Sequence, residues 1–172
     1  MTPYAKLARS AAEHYVKTQH RLAPPAYLPP ELSRQQACYI YLFENPGRRP
    51  RAVHGHALPR RSSLAEEIIA NTIEALRNPA GALTVRRVEL PSLAYAVAVL
   101  GPLQRVSGAA QLDPRAFGLF IRSDQGKSAV VLPQRIGVET AQDQVATAVR
   151  ESAINVRQEA AIMYRFPVTY YD

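Results

Sequence analysis

The chain has 172 residues, a length typical of one domain. Its hydrophobic content of 47% supplies a packed core, and its longest apolar run, Leu93 to Leu100, is far too short to span a bilayer. The single cysteine, Cys38, excludes an internal disulfide framework and a zinc site built from several thiolates. Since the N-terminus has no apolar leader, we expect a cytoplasmic protein that does not bind a membrane.

The positive charge of the chain is concentrated in one segment. The net charge is +7, and 18 of the 21 basic residues are Arg. The planar guanidinium group suits phosphate and carboxylate ligands, although a high Arg and Ala content is also typical of GC-rich genomes. Between Asn45 and Ala65 there is no acidic residue, and this segment holds five arginines and two histidines: Arg48, Arg49, Arg51, His54, His56, Arg60 and Arg61.

Helix and strand patterns alternate along the first half of the chain. Thr2 followed by Pro3 is typical of a helix start, and the apolar spacing after it predicts a helix to about His20. Four prolines in residues 22–33 predict an extended connection. The apolar segment 38–43 predicts a strand, and the turn at 44–47 leads to a second strand over 51–57.

The rest of the chain continues this alternation. Ser63 and Glu66 form a capping-box pattern, which predicts a helix that ends at Asn78 and Pro79. A buried strand is predicted over 93–100, a hairpin over 118–123 and 128–132, and a last strand over 161–170. Thr140 and Asp143 predict a further helix, with inward-facing Val145, Val149 and Ala153. The predicted fold class is α+β, with a mixed or antiparallel sheet and packed helices.

Several short motifs of this sequence resemble those of one known family. Leu112-Asp113-Pro114, Gly118 to Ser123 and Val131 to Gln134 resemble D-P-x-x-x-G-L-I-V-R-S followed by L-L-L-P-Q in the AMMECR-type domain family, protein A of the AmmeMemoRadiSam system. The resemblance extends over residues 5–170, through three further segments: Leu7-Ala8-Arg9, Glu151 to Ile154 and Tyr164 to Phe166.

The chain departs from this family at its signature, L-R-G-C-I-G, on the second strand. The matching segment is Arg51-Ala52-Val53-His54-Gly55, in which Val53 occupies the cysteine position. A second family feature, D-P-R-F, corresponds to Asn78-Pro79-Ala80-Gly81. If the family chemistry requires the signature thiol, this member lacks it.

The resemblance also implies an architecture and a set of partners. It implies a two-lobed α+β fold and no settled biochemical activity. We expect one AMMECR-like domain over residues 1–172, with a smaller lobe formed by the first helix and about residues 83–106. The family further implies genomic company with a Memo-like protein and a radical-SAM protein, which are the candidate partners.

Catalytic chemistry has few candidates in this sequence. If the strands at 38–43 and 51–57 pair about Gly47, then Cys38, His54 and His56 share one face, as a nucleophile with a base or a three-ligand metal site requires. The simpler interpretation is that Cys38 is a buried, unreactive core residue. We predict no metal site and no cofactor. The sequence has neither a glycine-rich phosphate loop nor a nucleophile-elbow serine.

The basic segment predicts an anion site. Arg51 is its expected anchor, supported by the N-terminus of the helix that begins near Leu64. The predicted binding residues are Arg51, His54, Gly55, His56, Arg48 and Arg60. The alternative is that Arg48, Arg49, Arg60 and Arg61 are solvated on two exposed loop ends.

The function that these observations favour is a binding module for a ligand or a partner, and a phosphate-bearing small molecule fits the basic segment. Two alternatives stay open. One is an enzyme of unknown reaction that uses the same cleft. The other is nucleic-acid binding through non-specific phosphate contacts, although aromatic and basic residues do not alternate as in single-strand binders.

Overall fold

The computed structural model describes residues 1–172 and has the predicted α+β fold, in which antiparallel strands pack against helices. The helices are α1 (Pro3–Thr18), α2 (Pro30–Ser33), α3 (Leu64–Ala75) and α4 (Ala141–Ser152). The strands are β1 (Cys38–Glu44), β2 (Arg49–Gly55), β3 (Leu93–Leu100), β4 (Gln104–Val106), β5 (Phe117–Ser123), β6 (Ser128–Val131) and β7 (Ala161–Tyr171). None of the helices is long and apolar enough to cross a membrane.

The chain divides into two compact units. The first contains Met1–Val99 and Thr169–Asp172, and the second contains Leu100–Val168. The division falls between Val99 and Leu100 and again between Val168 and Thr169, and the sequence predicted a smaller lobe formed by the first helix and about residues 83–106. The assignment of one domain with a smaller lobe stays a prediction.

In the first unit, β1 lies between β2 and β3 and pairs with both in antiparallel register. Alternate residues of β1 (Cys38, Ile40 and Leu42) are fully buried. They join one apolar core with the inner faces of α1 and α3, as expected for a strand with one face covered by helices. Tyr39 is opposite Gly55 and Ile40 is opposite His54, so the end of β2 lies beside the start of β1.

Two predictions for the first unit need correction. Strand β2 begins at Arg49 and ends at Gly55, two residues earlier than predicted. The turn is shorter than expected: only residues 45–48 join the two strands, and Gly47 and Arg48 within them both take positive φ angles. The extended connection also contains α2, whose first helical residue is a proline that needs no N–H donor there.

The second unit contains β4, β5, β6 and α4. Strand β5 pairs with β6 in the predicted hairpin and with β7 on its other side, and β7 also pairs with β4. Thr140 and Asp143 cap α4 reciprocally. Its buried residues are Gln144, Thr147, Ala148 and Ser152, while Val145 and Val149 are partly buried.

Ala153 was predicted to face inward and is instead exposed. It ends the helix in the left-handed conformation, so it no longer follows the helical periodicity. Strand β4 was not predicted from the sequence. It has only three residues, two of them exposed, which gives no alternating pattern.

Candidate functional site

The first unit contains an open pocket of about 390 Å³ between its helices and the end of β2. Three segments line it: the end of α1 with the chain after it, the end of β2 with the following loop, and one face of α3 with the chain after it. The lining residues are Tyr15, Arg21, His54, His56, Arg60, Arg61, Glu67, Ala70, Asn71, Ile73, Glu74 and Arg77. The α3 members recur at three- and four-residue spacing, so they share one helix face.

A buried carboxylate fixes the loop that borders this pocket. Glu67 is 1% exposed. Its Oε2 accepts hydrogen bonds from the backbone N–H groups of Arg60 and Arg61, both at 2.9 Å. A buried carboxylate is costly unless it is hydrogen-bonded, and these two donors satisfy it. Since the loop is held by its backbone, the side chains of Arg60 and Arg61 are left for other contacts.

The guanidinium groups of Arg60 and Arg61 make no hydrogen bond or ion pair within the protein. The other two arginines of the pocket are partly engaged. Arg21 donates from Nη2 to the carbonyl oxygen of Glu66 at 3.1 Å. Arg77 donates from Nε to Gly81 at 2.9 Å and lies 3.6 Å from Glu74. Four arginines therefore face two carboxylates, and one of these carboxylates, that of Glu67, is already hydrogen-bonded to backbone.

The two histidines of the pocket contact each other. The rings of His54 and His56 are 5.0 Å apart between centroids, in an edge-to-face arrangement. Burial lowers the pKa of both imidazoles below the ordinary value, and the positive charge of Arg60 acts in the same direction. Nε2 of His54 is buried and has no hydrogen-bond partner.

Cys38 lies next to this site in the core, on the strand face predicted for it. Ile40 is opposite His54, so Cys38, two residues before Ile40, points to the same face as the histidines. The thiol is fully buried, and burial raises its pKa far above the ordinary value. Nδ2 of Asn71 lies 3.6 Å from Sγ and donates to the Cys38 carbonyl oxygen at 3.0 Å. The predicted burial of Cys38 is confirmed. No group of three or more His, Cys, Asp or Glu side chains is arranged to hold a metal ion.

Arg51 was the anchor of the site predicted from the sequence, but its side chain is paired with carboxylates outside the pocket. Its side chain lies 3.4 Å from Glu89 and 3.8 Å from Glu44, and it also donates to the Thr84 carbonyl oxygen. It does not line the pocket. The reason is long-range: Glu89 is 38 residues away along the chain, so no local pattern reveals the pair.

The two arginines that precede Arg51 in the basic segment are also paired with carboxylates. Arg48 bonds Asp172 at 3.0 Å and stacks over Phe43, and Arg49 bonds Glu44 at 2.9 Å. The basic segment therefore has two parts. Its first three arginines are neutralised by carboxylates outside the segment, and Arg60 and Arg61 are not.

Three of the first four N–H groups of α3 already have partners, whereas the sequence predicted that this helix start was free to bind an anion. The N–H of Leu64 donates to Arg34, and those of Glu66 and Glu67 donate to the side chain and carbonyl oxygen of Ser63. The Glu66 carboxylate adds bonds to Ser62. This helix start is therefore capped by the protein itself.

Comparisons with known proteins identify the family. The AMMECR1 family model matches residues 5–171. The chain belongs to the AMMECR1 family. It is 29% identical over 170 residues to a protein of Thermotoga maritima, with 98% of this chain and 97% of that one covered.

Two further proteins are similar to this chain, one in sequence and one in fold. Protein CA_C1420 of Clostridium acetobutylicum is 29% identical over 168 residues, which are 97% of this chain but 35% of that protein. The crystal structure of uncharacterized protein PH0010 from Pyrococcus horikoshii has the same fold, with a TM-score of 0.84 and 24% identity. It covers 97% of this chain and 88% of that one.

The AMMECR1 signature segment contributes to the pocket through one of its faces. Val53, at the position of the signature cysteine, is 54% exposed. His54 is the next residue of the strand, so it points to the opposite face, toward the pocket. Gly55 lies so close to β1 that an added Cβ would be 2.4 Å from the Cys38 carbonyl oxygen. Its structural role is to permit this approach, and its predicted role in binding stays a prediction.

Of the six binding residues predicted from the sequence, His54, His56 and Arg60 line the pocket. The lining residues that sequence reasoning missed lie outside the basic segment, apart from Arg61. One signal was available in α3, where Glu67, Asn71 and Glu74 recur at helical spacing. Glu67 and Asn71 are buried, while Glu74 at the end of this polar stripe is exposed.

Proposed function

We propose that this AMMECR1-family protein binds a small anionic molecule in the pocket between β2 and α3. The observation that carries the proposal is the pair of guanidinium groups of Arg60 and Arg61, which have no carboxylate or carbonyl partner at the rim of a pocket. Unpaired guanidinium groups beside a concave site are typical receptors for phosphate or carboxylate.

The remaining charges of the pocket support the same ligand class. The Glu67 carboxylate accepts two backbone hydrogen bonds, and Glu74 lies beside Arg77. With both histidines neutral, the four arginines exceed the two carboxylates by two charges. The local field therefore favours a negatively charged guest.

The size and lining of the pocket suit a small molecule with an apolar portion. A volume of about 390 Å³ is within the usual range for ligand sites, which starts at roughly 300 Å³. Tyr15, Ala70 and Ile73 give the pocket apolar surface beside its charged groups. We infer an anionic group at the arginines and a less polar portion against these side chains.

The experiment is a titration with phosphate, sulfate and acetate, followed by thermal unfolding. A ligand that binds the folded state raises the Tm in proportion to the logarithm of its concentration above the Kd. The parent protein and the control Arg87→Ala should be stabilised equally, because Arg87 is exposed and does not line the pocket. The double variant Arg60→Ala, Arg61→Ala should lose most of this response. An equal response in all three proteins would reject the site.

A second candidate function is catalysis at the same pocket, which the contact between His54 and His56 favours. Two imidazoles with lowered pKa values are suited to general base chemistry near neutral pH. Mass spectrometry of the purified protein tests it, since a covalent adduct on either histidine or on Cys38 would favour an enzyme. The Memo-like and radical-SAM partners stay predictions from the family resemblance, and co-purification tests them.

A further inference from the structure

The histidine pair sits where a ligand would meet it. His54 is the last but one residue of β2 and His56 is the first residue after the strand; both line the pocket, and their rings are edge to face. Nε2 of His54 is buried without a partner. An unsatisfied buried polar atom costs about 1–3 kcal/mol, so this nitrogen gains from any group that completes its hydrogen bonding.

Charged and titratable groups face the pair from every surrounding element. The loop contributes Arg60 and Arg61, α3 contributes Glu67 and Glu74, and the chain after α3 contributes Arg77. The end of α1 and the segment after it contribute Tyr15 and Arg21, and β1 contributes Cys38, which lies on the same strand face as His54. Burial and Arg60 lower the pKa of both histidines, while Glu74 and Glu67 oppose this. The net effect is a lower pKa for each histidine, so both rings are neutral in the empty pocket at neutral pH.

We infer that the pocket selects a doubly charged tetrahedral oxyanion, a sulfate or phosphate group, and that its binding adds a proton to the pair formed by His54 and His56. This inference rests on the proposed function and names its ligand class. A dianion beside the rings stabilises the imidazolium and so opposes the effects of burial and of Arg60, which together lower the pKa of both histidines. A protonated imidazole donates from both nitrogens, so the ring that takes up the proton gains a hydrogen-bond donor for the oxyanion.

The direction of the pH dependence follows from this coupling. The bound anion raises the histidine pKa above its value in the empty pocket, so a proton is taken up when the anion binds. By reciprocity, protonation strengthens anion binding. Affinity therefore rises as pH falls through the pKa of the bound state, and it levels off below the lowered pKa of the empty state. A monocarboxylate carries half the charge of a dianion. Its binding should therefore raise the histidine pKa less and depend less on pH.

The test uses sulfate, whose charge is constant across the pH range, and acetate as the singly charged comparison. Calorimetric titrations between about pH 8 and about pH 5.5 span the titration range of histidine. Uptake of one proton predicts that the sulfate Kd falls up to about tenfold per pH unit. Repeating the titrations in buffers of different ionisation enthalpy measures the protons taken up directly.

Variants assign the effect to the pair. His54→Gln and His56→Gln should each reduce the pH dependence and the proton uptake, while His14→Gln, which does not line the pocket, should behave as the parent does. Circular dichroism checks that each variant is folded, and the parent's own pH dependence tests the inference without any variant.

The outcomes separate the two proposals. Sulfate binding that strengthens as pH falls, with proton uptake lost in the histidine variants, supports the inference. Sulfate binding with no proton uptake overturns it and leaves the proposed function standing. Acetate binding as tight and as pH-dependent as sulfate binding overturns the ligand class. Absence of binding to any anion at every pH overturns the proposed function, and the inference with it.

Discussion

The backbone N–H of Arg60 donates to the carboxylate of Glu67 at 2.9 Å. The next residue, Arg61, donates to the same oxygen. One buried side chain of α3 therefore fixes the loop that carries the two unpaired guanidinium groups. This contact links the helix and the basic segment, which are separate features of the sequence.

Glu67→Ala should destabilise the protein and weaken anion binding together. It leaves the two loop N–H groups without their acceptor, at a cost of about 1–3 kcal/mol in the free energy of unfolding. Denaturant unfolding and sulfate titration measure the two effects. Glu139→Ala, at an exposed glutamate outside the pocket, is the control. Unchanged sulfate affinity in a folded Glu67→Ala protein would show that the loop does not need this carboxylate.

Arg51→Ala should reduce stability but preserve the response to anions. Arg51 pairs with Glu89 and Glu44 and lies outside the pocket, and its loss should lower the free energy of unfolding by about 1 kcal/mol. Thermal unfolding with and without sulfate separates the two quantities. Loss of the sulfate-induced rise in Tm would restore Arg51 as the anchor that the sequence predicted.

Gly55→Ala should disturb the pairing of β1 with β2. The new Cβ would lie 2.4 Å from the Cys38 carbonyl oxygen and 2.5 Å from Cγ of Tyr39, and backbone cannot move aside without breaking the ladder. We expect a loss of about 2 kcal/mol, or a Tm lower by roughly 4–8 °C. The matched control is Gly108→Ala, where an added Cβ meets nothing within 4 Å. Equal Tm values for the two variants would contradict the close approach.

Cys38 should react slowly with a maleimide in the native state. The thiol is fully buried, and burial raises its pKa, so little thiolate is exposed to reagent. Val53→Cys provides the comparison, since residue 53 is 54% exposed and is the family's cysteine position. We expect rapid modification of one thiol in this variant, located by peptide mass spectrometry. Rapid modification at Cys38 in the folded parent would mean that the core opens at β1.

The sequence predicted most of the secondary structure because its signals are local. Thr2, Ser63 and Thr140 each accept a hydrogen bond from a backbone N–H three residues later, as their patterns predict. The hairpin at residues 117–131 and the buried strand at 93–100 depend on runs of apolar residues bounded by turns. The family was also visible in the sequence, since short motifs in fixed order do not require a structure to be detected.

Tertiary structure decided which cations are free to bind. Arg51 and Arg60 are equivalent in the sequence, both within a segment that lacks acids. Arg51 meets Glu89, which is 38 residues away along the chain, and Arg60 meets Glu67 only through its backbone. Charge pairing depends on distances of a few ångströms between residues that are remote in sequence, so composition predicted a positive segment and only the fold determined its unpaired members.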